Sequence, residues 1–357
     1  MILQDILGQP RAVTILENAI RNDSLAGSYL FAGPDGVGKY STAIAFAKAL
    51  CGVNSDSEPA ARAIDAGTFP DVRTVEPQGP SHIIRIGQLW PRDTEPDNAL
   101  LRDIYFEPMA GPRRVFIIKD AEGLNESSGN SLLKTLEEPP SYAQFILTAS
   151  STAGILPTIV SRCQRVPFGT LPPAAIEEAL MKKFAVPAEQ ARFLAAYCEG
   201  RLGLAVMLAR SPKLLAARDE LLDLAETLTK APAIYSFKAG EEFRKLAPKL
   251  KMAADLNVDS SEDKGTRESL ARALDLLALY YRDLLSCRVG GPRPFLVNVD
   301  RQVQIAAASA RFQPAELEIA LSSISAVRHA IERNANAQLS IDVLFSRLTS
   351  LSDLKPA

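Results

Sequence analysis

Two patterns of apolar residues divide the 357-residue chain. Up to about residue 168, short continuous apolar runs alternate with segments of helical spacing, which predicts a parallel α/β sheet with its strands buried on both faces. Beyond Pro172-Pro173 the spacing is helical almost throughout, and the sequence predicts helices there. The predicted strands cover residues 29–32, 72–75, 115–118 and 145–149.

The same pattern predicts three domains. An α/β domain covers residues 1–168, a small three-helix domain covers 169–211, and a larger helical domain covers 212–357. Two polar segments interrupt this pattern. Residues 90–97 contain the only tryptophan and several prolines, which indicates a surface insertion, and residues 255–265 predict a loop. The predicted helices of the last two domains include 174–184, 188–198, 202–210, 214–228, 269–285 and 314–334.

A glycine-rich turn after the first predicted strand carries the strongest chemical signal. Gly33, Gly36, Gly38 and Lys39 match the pattern G-x-x-x-x-G-K of a phosphate-binding loop, and a helical segment follows. Glycines let backbone N–H groups approach phosphate oxygens, and the lysine adds positive charge. We therefore expect a nucleotide such as ATP here, the alternative being a glycine turn without a ligand. Tyr40 stands where Ser or Thr would ligate Mg²⁺.

Composition and charge narrow the function classes. The net charge of −2 and the pI of about 5.9 give no bulk attraction to nucleic acid or to a membrane. No apolar run approaches the roughly 20 residues of a membrane span, and the N-terminus does not read as a secretory signal. The four cysteines lie at no disulfide-like or metal-like spacing, so we expect reduced thiols in a cytoplasmic protein.

Several segments together resemble the AAA+ subunits of bacterial clamp loaders. The run at 131–140 is similar to their LLKTLEEPP segment, and the residues before the end of the chain, Asn334-Ala335-Asn336 and then Gln338-Leu339-Ser340-Ile341, look like the closing helix of delta-prime subunits of DNA polymerase III. The resemblance implies a RecA-like AAA+ domain, a helical lid and a helical collar that holds a pentamer together, over the three predicted domains. Further matching segments are Ile6-Leu7-Gly8-Gln9, Tyr29-Leu30-Phe31, Phe69-Pro70-Asp71 and Ser161-Arg162-Cys163.

The resemblance also implies a function. Clamp loaders use ATP bound between neighbouring subunits to place a sliding clamp on primed DNA, so the expected partners are tau/gamma motor subunits, a delta subunit, the clamp and DNA. Arg162 of the Ser-Arg-Cys triplet would be an arginine finger that acts in trans on a neighbour's γ-phosphate. The alternative is a surface arginine that follows a short helix and pairs with solvent.

The positions that support hydrolysis differ from the motor pattern. Laid on that pattern, the Mg²⁺-ligating Asp falls on Lys119 and the water-orienting Glu on Asp120, although a shift of one residue would make Asp120 the ligand. The lid arginine falls on Gly203. With Tyr40, these changes imply a subunit that does not hydrolyse ATP. The alternatives are a tau/gamma-type motor, a stand-alone AAA+ protein for remodelling or repair, and a scaffold with an inert Arg162.

The sequence gives less support for a metal site and for direct DNA contacts than for the nucleotide site. Relatives carry four zinc-ligating cysteines in this region, but only Cys51 remains here, so we predict no zinc. Cys163 is expected to be a core thiol, and neither His82 nor His329 has a partner visible in sequence. Basic residues could contact DNA phosphates, although such residues more often form a solvated face: Arg113, Arg114, Arg244, Lys245, Lys249 and Lys251.

Overall fold

The computed structural model describes residues 2–79, 81–91, 99–250, 262–291, 295–333 and 335–351. By its internal contacts the chain forms two compact units. The first comprises residues 1–175 with 200–204, and the second comprises residues 176–199 with 205–357. The domain limits expected at residues 168 and 211 remain predictions.

The first unit contains a five-stranded parallel sheet with the strand order β2-β3-β4-β1-β5. Every residue of β3 and β4 is buried, which is why they read as continuous apolar runs rather than as alternating ones. In the sheet, Phe31 of β1 lies between Thr148 of β4 and Val166 of β5. The strands are β1 (Ser28–Ala32), β2 (Val72–Val75), β3 (Arg114–Ile118), β4 (Ala143–Ala149) and β5 (Gln164–Pro167).

Helices cover both faces of this sheet and bury two separate cores. Leu16, Phe46 and Ile64 belong to the core that includes Tyr29 of β1. Leu132 belongs to the other core, with residues of β3 and β4. This α/β arrangement confirms the fold class predicted from the sequence. The helices of the first part of the chain are α1 (Pro10–Arg21), α2 (Lys39–Leu50), α3 (Pro59–Asp65), α4 (Ile86–Leu89), α5 (Glu126–Glu137) and α6 (Pro157–Val160).

The rest of the described chain is helical, as predicted. One continuous core joins the long helices of the second unit, and the rings of Phe243 and Phe345 lie 5.1 Å apart within it. Arg218 is buried there, stacks on the ring of Phe193 and donates to both carboxylate oxygens of Asp300. The helices are α7 (Pro173–Phe184), α8 (Ala188–Tyr197), α9 (Leu202–Ala209), α10 (Pro212–Leu228), α11 (Ser236–Leu246), α12 (Glu262–Val289), α13 (Gln302–Ser309), α14 (Pro314–Glu332) and α15 (Ala337–Leu351).

Four local expectations need correction or lie outside the described residues. The fifth strand, β5, was not predicted, because its Gln-Arg-Val-Pro sequence alternates as an edge strand does. The short helix α3 was not predicted either. Trp90 packs against the core rather than lying in a surface insertion, while residues 92–98 are outside the described set. The predicted loop at 255–265 is helical from Glu262, and 255–261 is not described.

Among the described residues, none of the helices has both the length and the apolar character that a membrane span requires.

Candidate nucleotide site and arginine finger

The predicted phosphate-binding loop connects β1 to α2 at the carboxyl edge of the sheet, where ligands bind in α/β folds of this type. Gly36 and Gly38 have φ values of 77° and 99°, a left-handed backbone that favours glycine. Position 33 requires glycine because a Cβ there would lie 2.1 Å from the carbonyl oxygen of Phe168. The loop therefore has the curled backbone that its sequence predicts.

Lys39 is held by the loop to which it belongs. Its Nζ donates to the carbonyl oxygens of Gly33 at 2.6 Å and Pro34 at 2.9 Å, and it forms an ion pair with Asp35 Oδ1 at 3.0 Å. The lysine side chain is only 7% exposed. An incoming phosphate would have to compete with the Asp35 carboxylate for this ammonium group. Asp35 is a functional candidate that the sequence reasoning missed, although an acidic residue inside the loop was a visible signal.

Residues 200–204 close over the same loop. The backbone N–H of Gly203 donates to the carbonyl oxygen of Gly36 at 2.8 Å, and a Cβ on Gly203 would lie 3.0 Å from that oxygen. Gly203 occupies the position at which the resemblance places the lid arginine of motor subunits. The tight approach leaves little room for a side chain at this position.

The two expected metal positions contact each other without offering a metal ligand. Lys119 follows β3 directly, and its Nζ lies 5.6 Å from the centroid of the Tyr40 ring and 2.7 Å from Glu76 Oε2. Burial alone would lower the pKa of Lys119, but the hydrogen bond and charge of Glu76 raise it above its usual value. Lys119 is therefore a protonated cation at neutral pH. Neither an ammonium group nor a phenol ring is a ligand that Mg²⁺ prefers.

Asp120 and Glu122 bring further negative charge to this edge. Burial, followed by repulsion from Asp35 and Glu122, raises the pKa of Asp120, although Lys119 and His82 oppose the shift. Asp120 has a left-handed φ of 49°, and His82 Nε2 lies 3.9 Å from its Oδ2. Glu122 accepts the Ser150 hydroxyl at 2.5 Å and the Ser151 N–H at 3.2 Å, so it is engaged with the turn after β4. If a metal ion binds beside the loop, Asp120 is the carboxylate that we expect to ligate it.

The predicted finger, Arg162, lies between α6 and β5 and is 29% exposed. Its Nε donates to Glu137 Oε1 at 2.7 Å, its Nη2 pairs with the same oxygen, and its Nη1 donates to the carbonyl oxygen of Thr158 at 2.9 Å. Glu137 belongs to the LLKTLEEPP segment, so the fold joins two of the quoted motifs. The sequence reasoning missed this role of Glu137.

Three of the four cysteines, Cys51, Cys163 and Cys198, are buried free thiols, and Cys287 is partly exposed. Burial raises the pKa of Cys51 and of Cys163 to about 12, with Asp71 adding to the effect at Cys51. Within the described residues, no group of three or more His, Cys, Asp or Glu side chains is arranged to hold a metal ion. The absence of zinc stays a prediction.

The basic residues proposed for DNA contact are mostly engaged within the protein. Arg114 is buried and paired with the buried Asp71 at 3.1 Å, so the interpretation as a DNA contact is wrong for Arg114. Arg113 donates to the carbonyl oxygen of Ser141. Three other basic residues form ion pairs, which favours a solvated face: Arg244 with Asp342, Lys245 with Glu241, and Lys249 with Glu220. Lys251 lies outside the described residues.

Comparison with known proteins identifies the family. The family model for "DNA polymerase III, delta subunit" matches residues 8–172, and the model for its C-terminal part matches residues 263–350. The chain is 30% identical over 287 residues to DNA polymerase III subunit delta′ of Bacillus subtilis, covering 79% of this chain and 78% of that protein. The chain belongs to the delta-prime family of DNA polymerase III subunits. The family assignment confirms the resemblance seen in the sequence.

Proteins described as tau and gamma subunits are also similar to this chain. The tau subunit of Bacillus subtilis is 29% identical over 296 residues, which cover 79% of this chain but 49% of that subunit. The crystal structure of a gamma-subunit-related protein from Thermotoga maritima aligns with 94% of this chain and 99% of its own, at 17% identity and a TM-score of 0.45.

Proposed function

We propose that this chain is the delta-prime subunit of a DNA polymerase III clamp loader and that it donates Arg162 to ATP bound by a neighbouring tau/gamma motor subunit. In this role it helps to load the sliding clamp onto primed DNA in the cytoplasm, together with a delta subunit. The family assignment supports the assembly. The placement of Arg162 supports the finger, because its guanidinium lies at the surface and is oriented by two neighbouring groups.

A guanidinium group suits this task for electrostatic reasons. It stays charged at any physiological pH, and its paired N–H donors match two oxygens of a phosphate. An arginine finger contributes on the order of 10³–10⁵ in the rate of phosphoryl transfer. Because it acts across a subunit boundary, it can persist in a subunit with no hydrolytic activity of its own.

The test of the finger is a reconstituted clamp loader that contains the Arg162→Ala variant. We expect its ATPase rate with clamp and primed DNA to fall at least about tenfold, a bound well below the 10³–10⁵ that an arginine finger contributes. The matched control is Arg165→Ala, since Arg165 is an exposed arginine three residues away and makes no ion pair within the described residues. An unchanged ATPase rate with Arg162→Ala in the assembled loader would refute the finger role.

The chain's own loop is proposed to lack hydrolysis and to keep at most a vestigial capacity for nucleotide. Its backbone curvature fits phosphate groups, whereas Tyr40 and Lys119 supply no ligand for Mg²⁺ and Gly203 supplies no cation. The Lys39–Asp35 pair opposes binding, because the lysine must exchange one anion for another. Without a bound metal ion, the charge that develops on a transferred phosphoryl group lacks its main stabilisation.

Two measurements on the isolated chain test this second part. We expect no ATP turnover above that of a Lys39→Ala control, and we expect titration with a fluorescent ATP analogue to give the same affinity with and without Mg²⁺. Turnover that requires Mg²⁺ and Lys39 would instead support the alternative of a tau/gamma-type motor.

A further inference from the structure

The contact between Arg162 and Glu137 has a geometry that orients the guanidinium for a ligand. A guanidinium group carries five N–H donors. Glu137 Oε1 accepts from Nε and Nη2, and the carbonyl oxygen of Thr158 accepts from Nη1. Within the described part of the chain, these contacts leave one N–H on each of the two Nη nitrogens. The remaining N–H of Nη2 lies on the outer edge of the guanidinium, between the two Nη nitrogens, because Nε and Nη2 share one acceptor on the opposite side. An edge of a guanidinium can bind two phosphate oxygens side by side.

Helix stability does not explain a glutamate at this place. Glu137 is the last residue of α5, and Pro139-Pro140 follow the helix end. A carboxylate in the last turn faces the negative end of the helix dipole, where a cation would be favoured. Glu137 is also half exposed, so its ion pair contributes little to folding. Its position beside Arg162 therefore favours a role in orienting that side chain.

From these contacts we propose that Glu137 is the positioning residue of the arginine finger, an inference that rests on the proposed function of Arg162. The carboxylate holds the Nε side of the guanidinium and keeps the outer edge directed away from its own subunit. A long arginine side chain otherwise loses considerable rotamer freedom when it binds a ligand. With Glu137 in place, that ordering is already present before the neighbour's phosphate arrives.

Two substitutions at Glu137 separate the effect of its hydrogen bonds to Arg162 from the effect of its negative charge. Glu137→Ala removes the acceptor, whereas Glu137→Gln keeps an acceptor oxygen in a side chain of the same shape. In the reconstituted loader with clamp and primed DNA, we expect Glu137→Ala to lower the kcat for ATP about tenfold with KM unchanged, because misplacing a catalytic group costs rate rather than substrate binding. Glu137→Gln should retain at least half of the wild-type kcat.

The adjacent Glu138 provides the matched control, since it is exposed and forms no ion pair among the described residues. Glu138→Ala should leave kcat unchanged, and the thermal unfolding midpoints of all variants should agree. The double variant Glu137→Ala/Arg162→Ala should be no slower than Arg162→Ala alone, because a positioning residue acts only through the group that it positions.

Failure of this inference can be told apart from failure of the proposed function. If Arg162→Ala lowers kcat but Glu137→Ala matches the Glu138→Ala control or raises the rate, the positioning role is refuted while the finger stands. A further loss from Glu137→Ala in the Arg162→Ala background would indicate a general structural role and would also refute it. If Arg162→Ala has no effect, the finger itself fails.

Discussion

A buried carboxylate, Asp71, organises the segment that leads into β3. Asp71 is fully buried, and its two oxygens accept from the backbone N–H groups of Met109, Ala110 and Gly111 and from Nη2 of Arg114. The shortest of these bonds, to Ala110, is 2.6 Å. Arg114 in turn donates to two backbone carbonyl oxygens upstream of the strand. One carboxylate therefore accepts hydrogen bonds from four donor groups.

The substitution Asp71→Asn tests this arrangement with almost no change in shape. Both carboxylate oxygens face donors, so the new amide NH₂ group must point at an N–H or at the guanidinium of Arg114 whichever way it turns. Arg114, itself 2% exposed, also loses its only buried counter-charge among the described residues. Breaking a buried ion pair by removing one partner costs about 3–5 kcal/mol. We expect the free energy of unfolding of the first unit to fall by about that amount.

Urea unfolding followed by tryptophan fluorescence measures this loss in the relevant unit. Trp90 is the only tryptophan, and it packs against the core of the first unit, so its emission reports on that unit. Far-UV circular dichroism follows both units in parallel. The matched control is Asp23→Asn, because Asp23 is 93% exposed and lies 3.7 Å from Arg113. We expect the control to change stability by less than about 0.5 kcal/mol. A loss below about 1 kcal/mol for Asp71→Asn would refute the reasoning.

Two further expectations concern pH and the glycine loop. Burial alone would raise the pKa of Asp71, but its hydrogen bonds hold the pKa below the usual value. The stabilisation by the Asp71 carboxylate is therefore present above the unfolded pKa of about 3.9 and is lost as the pH falls through the folded pKa. In urea titrations, the difference in stability between wild type and Asp71→Asn should therefore shrink below about pH 4. A difference that stays constant down to pH 2 would contradict this. Gly33→Ala should lower the thermal midpoint more than Gly169→Ala, because its Cβ meets the Phe168 carbonyl whereas no atom lies within 4 Å of one on Gly169. Equal midpoints for the two variants would show that the close approach at Gly33 does not matter.

Local sequence features were sufficient for much of the fold. Continuous apolar runs predicted β1, β3 and β4, because a parallel strand buried on both faces needs no alternation. The glycine-rich turn after β1 could be predicted because its glycines and lysine are close neighbours in sequence. The edge strand β5 escaped prediction, since an exposed edge requires only one buried side chain in four residues. The polar start of α12 was read as a loop for a similar reason, because few apolar residues mark it.

The contacts that give the candidate site its character join residues far apart in the chain. Glu137 and Arg162 are separated by 25 positions and Asp71 and Arg114 by 43, so their pairing depends on how the strands and helices pack. The sequence could show that Tyr40 and Lys119 depart from the metal-binding pattern, but only the fold brings the ammonium group over the phenol ring. The sequence specifies the residue types and their short spacings. Packing determines the partner of each charged side chain, because burial decides which charges must be neutralised and by which neighbour.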